Sequence, residues 1–403
     1  MKLIIVGVQI LVIILAVYWV IVSLWGLRKP NKTEFKQPEK RFLILIPAHN
    51  EENVISELLK NLKKLNYPSQ LFDIMVIADN CTDNTVKLAE QQNVKYIIHN
   101  SKPNEVKGKP YAIKYALNYL GNNLDKFDGI IFFDADNLVA SNFLNEMNNH
   151  MLNGERVIQG YLDSKNANDN FISLGYAASY YYMNRSWQLS KYRIGLSNIL
   201  GGTGFCVETK LLQEIGWSAT SLTEDLEFSM QCILKNIRVT WAHNAKIYDE
   251  KPLKMKTTLV QRVRWLRGHW DVCFKYAPKL FKNFIMKFDL ISLDAFLYLV
   301  HPGRILVTAG LPFFTMLSLI NIFYKIPYIF VWQVWIPFII YNLVYMLITF
   351  YDSDEKIKGM KAFLSLIAVN YATIPLFFYS IFTVKNKTWI RTEHTRNIKD
   401  VKK

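Results

Sequence analysis

Asp134 and Asp136 have a spacing that can do chemistry. Two carboxylates one residue apart, with only the small Ala135 between them, can both reach a hard divalent cation such as Mg2+ or Mn2+. Such ions take oxygen ligands, keep several waters and share their remaining positions with phosphate oxygens. Three further features point the same way: Asp79 at another strand end, Lys107 and Lys109 just before a helix, and the acidic cluster Thr223-Glu224-Asp225. The bland reading of Asp225 is a helix cap over 226–233, because Thr and Asp are favoured at helix starts. His49, His243 and His269 read as satisfied surface or pocket histidines rather than ligands. The glycines at 201–204 are not a dinucleotide fingerprint, since the third glycine is missing at the needed spacing.

These residues need a scaffold, and the surrounding pattern predicts one. Short apolar runs at 42–46, 72–78, 94–99 and 129–133 alternate with helical patterns at 54–65, from about Thr85, and at 110–120. Such alternation means a mainly parallel sheet with helices on both faces. Sheets of this kind bind ligands beyond the carboxyl ends of their strands, which is where Asp79, Asp134 and Asp136 fall.

The 403 residues are 51% apolar and 20% charged, which excludes disorder, a disulfide miniprotein and a repeat array. Four uncharged stretches, 3–27, 305–324, 326–351 and 362–384, are long enough to cross a bilayer. Arg28, Lys29, Lys32 and Lys36 follow the first stretch and only Lys2 precedes it, so the positive-inside rule puts the domain behind it in the cytosol. The expected organisation is a membrane helix (1–27), a cytosolic domain (28–274), interfacial amphipathic helices (275–303), about three further spans (304–384) and a basic tail (385–403). Three spans would leave that tail outside, against the charge rule. Arg262 and Arg267 would face lipid headgroups, and Trp265 and Trp270 would, on the bland reading, anchor the interface. Cys81, Cys206, Cys232 and Cys273 form no close pair, which argues against disulfides and structural zinc in a reducing compartment. The net charge of +15 calls for an anionic partner. No nucleic-acid motif accompanies it, leaving lipid headgroups and a phosphorylated substrate.

Ile46-Pro47-Ala48-His49-Asn50-Glu51, Asp79, Lys109, Asp134-Ala135-Asp136, Thr223-Glu224-Asp225 and Gln261-Arg262-Val263-Arg264-Trp265 occur in this order over residues 41–270. The set resembles the membrane-embedded processive family 2 glycosyltransferases, which include cellulose, hyaluronan, chitin-oligosaccharide and poly-N-acetylglucosamine synthases. The resemblance implies an α/β GT-A (nucleotide-diphospho-sugar transferase) domain with flanking transmembrane helices, in the plasma membrane with its catalytic domain cytosolic. It implies that Ala48, Glu51 and Asp79 line the nucleoside pocket, that Lys109 and Arg264 approach the diphosphate, and that Gln261 closes the site. Asp134 would contact the nucleotide beside the Mg2+ or Mn2+ on Asp136. Asp225 would be the general base, with Glu224, Trp265 and the stretch Gly204-Phe205-Cys206 at the acceptor end. The implied partners are a UDP-sugar (UDP-N-acetylglucosamine or UDP-glucose), a growing polysaccharide, the bilayer and accessory export subunits. The physics of the reaction fits these residues. A carboxylate can take the acceptor's proton while cations stabilise the departing diphosphate, and inversion of an α-linked donor gives a β-linked product. The expectation is therefore an inverting processive synthase that also exports its product. The alternative is transfer of a single sugar to a polyprenyl phosphate or another membrane lipid. A non-catalytic scaffold would give no reason for Asp79, Asp136, Asp225 and Arg264 to occur together.

Overall fold

The computed structural model describes residues 2–28, 30–31, 33–102, 105–301, 304–351 and 359–388. Lys29, Lys32 and the basic tail from 389 onward lie outside them.

The strands are Phe42–Ala48 (β1), Phe72–Asp79 (β2), Lys95–His99 (β3), Gly129–Phe132 (β4), Leu138–Val139 (β5), Val157–Ser164 (β6), Phe205–Glu208 (β7) and Val239–Asp249 (β8). The first helices are Lys2–Ser23 (α1), Ile55–Leu62 (α2), Thr85–Gln91 (α3), Lys109–Leu120 (α4), Phe143–Leu152 (α5), Phe171–Met183 (α6) and Ser190–Arg193 (α7). There follow Thr209–Ile215 (α8), Glu224–Leu234 (α9), Met255–Lys287 (α10), Leu290–Val300 (α11), Ile305–Tyr324 (α12), Trp332–Tyr351 (α13), Gly359–Tyr371 (α14) and Ile374–Phe382 (α15).

One sheet carries all eight strands in the order β3-β2-β1-β4-β7-β6-β8-β5. The half β3-β2-β1-β4 is parallel, as the alternation predicts. Beyond it the sheet is mixed, because β7 runs antiparallel to both β4 and β6. This is a GT-A-like nucleotide-sugar transferase fold. Its β1 shows why the strands read as unbroken apolar runs. Phe42, Ile44 and Ile46 pack on one face with α2 and α5, whereas Leu43 and Leu45 pack on the other with α4 and α9. Side chains alternate along a strand, so a strand covered on both faces is apolar at every position. All five of these residues are fully buried, each contributing about 1.5–3 kcal/mol. The chain leaves β1 for β2 and β3 on one side and returns to β4 on the other, so a crevice opens between the carboxyl ends of β1 and β4.

Four helical stretches are long and apolar enough to cross a membrane: Lys2–Gly26, Ile305–Tyr324, Trp332–Tyr351 and Gly359–Phe382. The helices α1, α12 and α13 close on one another through Val12, Ala16, Val307, Leu311, Phe314 and Trp335. A side chain added at Gly310 would come within 2.9 Å of Val12, so glycine permits the close approach of α12 to α1. The last stretch is interrupted between α14 and α15, and it packs on α6 and α10 of the catalytic domain. Helix α10 is continuous across the boundary expected at 274/275 and, at 33 residues, is about 50 Å long. With α11 it packs on α9 through Cys273, Tyr276, Leu280, Ala295 and Leu299. Its far side leaves Phe274, Phe281, Ile285 and Met286 exposed, an apolar rim of the kind that meets a bilayer surface.

Candidate active site

A cavity of about 670 Å³ fills the crevice. Ala48 and Glu51 after β1, Asp79 at the end of β2, Lys109 at the start of α4, and Asp134 and Asp136 after β4 all line it. From the other side come Glu224 and Asp225 in the first turn of α9, and Gln261, Arg264 and Trp265 on α10. Residues nearly 220 positions apart in the chain thus face one space.

Asp79 is buried and held by His99 Nδ1 and by Asn80 Nδ2, each 2.7 Å from its Oδ1. His99 in turn lies against the Tyr115 ring at 4.3 Å. The Lys109 ammonium contacts Asp134, donates to the Gly202 carbonyl at 2.7 Å and stands 3.7 Å from Glu224. Burial disfavours its charge, but the Asp134 and Glu224 carboxylates outweigh burial and hold its pKa above the ordinary lysine value. Asp134 is fixed through its backbone N–H, which donates to Thr203 Oγ1 at 2.9 Å.

Asp136 is buried and accepts from Asn137 Nδ2 and the Glu250 N–H, both at a long 3.2 Å. Asp249, also on the cavity wall, has its pKa raised by burial, against which Lys251 works, and by the charge of Asp136. Among the described residues no three His, Cys, Asp or Glu side chains converge as a closed metal cage. Two neighbouring carboxylates in a negative corner open to a ligand are nonetheless what an Mg2+- or Mn2+-phosphate site requires of the protein. The residues present fit such a cation.

Asp225 does not act as the helix cap. Thr223 is the cap residue of α9 and makes no side-chain cap bond, while Asp225 lies within the first turn. Burial, reinforced by the Glu224 charge, pushes the Asp225 pKa up to about 7, although Lys109 and nearby backbone N–H groups pull against it. A carboxylate poised there can accept a proton near neutral pH. The Gly201–Gly202 loop passes directly beneath it: Gly202 has φ +84°, and a Cβ at that position would be 3.5 Å from Asp225 Oδ2.

Tyr176 of α6 donates to Gln261 Oε1 of α10 at 2.6 Å and meets the Trp265 ring edge-on at 6.2 Å. Arg264 lines the cavity, and its buried Nε has no hydrogen-bond partner among the described residues. Arg262 does not face headgroups. It donates to Thr373 Oγ1 at 2.7 Å and so braces the break between α14 and α15. Arg267 likewise donates to Thr383 Oγ1, at 3.0 Å. Trp270 is core rather than an interface anchor, packed on Phe377 at 5.2 Å. His269 lines the cavity, but burial drops its pKa to about 4, and the neutral ring donates from Nε2 to the Leu299 carbonyl at 3.0 Å.

Three expected acceptor residues are not at the site. Phe205 and Cys206 are buried in β7, with Phe205 stacked on Phe132 at 4.7 Å, and Gly204 is filled against Ile247. Their neighbours Gly201, Gly202 and Thr203 line the cavity instead. The apolar triplet Phe205-Cys206-Val207 carries the strand signal that separates the two groups. Sequence reasoning also missed Asp249, Tyr298 and Lys387 on the cavity wall. Lys387 lies beyond the last helix, 3.2 Å from Asp271 of α10, and no local signal marks it.

The family model described as "Glycosyltransferase like family 2" matches residues 38–268, and the chain belongs to that family. It is 26% identical over 379 residues to the probable glycosyltransferase YdaM of Bacillus subtilis, covering 87% of this chain and 86% of that one. It is 28% identical over 249 residues to the beta-monoglucosyldiacylglycerol synthase of Nostoc, covering 60% of this chain and 51% of the relative, so it matches about half of that protein's length. The mannosyltransferase PcManGT from Pyrobaculum calidifontis, solved in complex with GDP-Man and Mn2+, superposes with a TM-score of 0.55 over 96% of this chain and 99% of that one. At 15% identity that likeness is one of fold.

Proposed function

We propose that this family 2 glycosyltransferase moves a sugar from UDP-glucose or UDP-N-acetylglucosamine to a lipid-anchored acceptor at the cytosolic membrane surface, with inversion and with Asp225 as the base. The observation that carries the reading is Asp225 itself. Its carboxylate has a pKa near 7 and shares a cavity with Lys109 and Arg264, and that cavity is floored by α10 above an apolar rim.

In this reading the nucleoside lies against Ala48, Glu51 and Asp79. Its diphosphate takes over Lys109 from Asp134 and Glu224, and Arg264 and Lys387 add charge where the leaving group becomes anionic. Asp136, with Asp134 beside it, would hold Mg2+ or Mn2+, which when bound supplies positive charge against the diphosphate. The acceptor hydroxyl, stacked near Trp265, gives its proton to Asp225. Its oxygen bonds to the anomeric carbon while the bond from that carbon to the diphosphate breaks on the opposite face and UDP departs. An α-linked donor yields a β-linked product.

The lipid acceptor is favoured by the membrane helices. The faces of α1, α12 and α13 that meet are packed with apolar side chains, Val12, Ala16, Leu311, Phe314 and the fully buried Trp335, rather than with polar groups that would line a sugar path. The Nostoc relative is by name a synthase of a glycosylated membrane lipid. Processive chain growth is the second reading, supported by the Gln261–Trp265 set on the cavity floor. Metal removal tests the transferase itself. Purified protein stripped with a chelator should lose sugar transfer from UDP-[14C]glucose or UDP-[14C]N-acetylglucosamine and regain it on addition of Mn2+. An unchanged rate after chelation would remove Asp136 from its role.

A further inference from the structure

Beside the metal corner the cavity wall carries a carboxylate that the transfer step leaves unused. Asp249 ends β8 on that wall, and the next N–H along the chain, that of Glu250, is the one bonded to Asp136. Lys251 Nζ lies 2.6 Å from Asp249 Oδ1 and 2.8 Å from Oδ2, and donates to the second. This is the carboxylate's one hydrogen bond among the described residues, although Oδ1 is buried. An ionised carboxylate has about four acceptor positions, so most of its capacity is left for whatever fills the cavity.

Lys251 is built in behind that carboxylate. It is fully buried and is not part of the cavity lining. Asn166 clamps its backbone, accepting from its N–H at 2.8 Å and donating to its carbonyl at 2.9 Å. Its ammonium sits 3.6 Å from the centre of the Tyr180 ring. A buried ammonium is costly unless paired, so Asp249 and the ring face keep it there, and it in turn holds the Asp249 charge beside that of Asp136. Tyr180 marks the position along the cavity. It lines the wall, and its hydroxyl makes no hydrogen bond with any described residue. Burial raises its pKa and the charges of Asp249 and Asp225 raise it further, so the phenol faces both carboxylates.

In the glycosyl-transfer reading the diphosphate occupies the corner of Lys109 and Asp136 and the base is Asp225, so the transferred sugar has to lie between them. A carboxylate there repels phosphate and accepts from hydroxyls, which a hexose presents in number. Resting on that reading, we propose that Asp249, flanked by Tyr180, selects the transferred sugar by accepting from its hydroxyls. Asp249 is then a specificity-determining residue of the donor site, and Lys251 is a positioning residue that acts through it.

Calorimetric titration of the full-length protein in detergent with Mn2+ tests this without turnover. The probes are UDP, UDP-glucose, UDP-N-acetylglucosamine and the deoxy forms of UDP-glucose that lack one hydroxyl each. Asp249→Asn should weaken the UDP-sugars about tenfold or more, the usual worth of hydrogen bonds to a charged group, and leave UDP unchanged. At least one deoxy donor should bind wild type correspondingly more weakly than UDP-glucose does, and in Asp249→Asn that difference should vanish. Lys251→Met should weaken the same sugars, and adding it to Asp249→Asn should cost no further affinity. Equal binding of the UDP-sugars to wild type and Asp249→Asn, or a deoxy penalty that persists in the variant, overturns the proposal. Parallel loss of UDP and UDP-sugars in folded Asp249→Asn places the residue in the metal corner and overturns it as well. Additive losses overturn the positioning role of Lys251. Asp249→Glu, which keeps a partner for Lys251, serves if Asp249→Asn does not fold and should show the same selective loss. Failure of wild type to bind UDP would sink the transferase reading separately.

Discussion

Asp225 would set the pH dependence of transfer. With its pKa raised to about 7 by burial and by Glu224, it holds a proton below that pH and cannot take another from the acceptor. Activity should therefore fall as pH drops through 7 and level off above it. Asp225→Asn should lower kcat by about 10²–10⁴-fold, the usual range for a lost general base, and remove the acid limb, with UDP affinity unchanged by calorimetry. Near-normal turnover in that variant would take the base away from Asp225. This residue, Lys109, Asp136 and Arg264 were legible because each belongs to an ordered set of polar motifs at predicted strand or helix ends. Lys387 was not, since a lysine among other tail lysines has no pattern, and Asp249 sits at the end of a strand rich in polar residues. Gly204, Phe205 and Cys206 were drawn to the acceptor by the glycines beside them, although the burial of an apolar strand decides their place.

Helix α10 joins the two halves of the site. It carries Gln261, Arg264 and Trp265 into the cavity, and one turn later Gly268 lets it lie against the residue that starts α9. A Cβ at Gly268 would come 2.7 Å from the Thr223 side chain and 2.8 Å from its backbone nitrogen, and that backbone cannot yield without moving Asp225. Gly268→Val should cost about 1–3 kcal/mol of stability from overpacking. It should also lower kcat by up to about 100-fold, the scale of a 1 Å misplacement of a catalytic group. A kcat within twofold of wild type, in protein with a normal melting temperature, would show that this contact does not position the base. The parallel half of the sheet was readable from alternating strands and helices, whereas the antiparallel insertion of β7 was not. Strand direction there depends on which distant partner β7 meets, and local periodicity carries no record of that.

At the scale of the whole molecule the charge pattern and the packing together frame a topology that labelling can test. Gln9 of α1 donates to the Tyr328 carbonyl and accepts from the Phe330 N–H, so the start of α1 and the α12–α13 turn share one end of the bundle. Lys387 lies at the other end, on the catalytic cavity. Gly359–Phe382 is long and apolar enough to cross the membrane and also packs on α6 and α10; the topology to be tested keeps it on the catalytic side and has α1, α12 and α13 as the crossings. In that topology the start of the basic tail would fall on the catalytic side, as the positive-inside rule asks. In a cysteine-free background, Thr388→Cys should react with an impermeant maleimide from the same side as Lys60→Cys, and Lys325→Cys from the opposite side. Labelling of Thr388→Cys together with Lys325→Cys would make the last segment a crossing. The central claim is that this cavity transfers sugar to a membrane-anchored acceptor. Its most direct test is product analysis after incubating the purified protein with Mn2+, radiolabelled UDP-sugars and a membrane-lipid extract. The account predicts a chloroform-soluble, β-linked glycolipid that is absent with Asp225→Asn. Long water-soluble polymer without labelled lipid, or no transfer from any UDP-sugar, would contradict it.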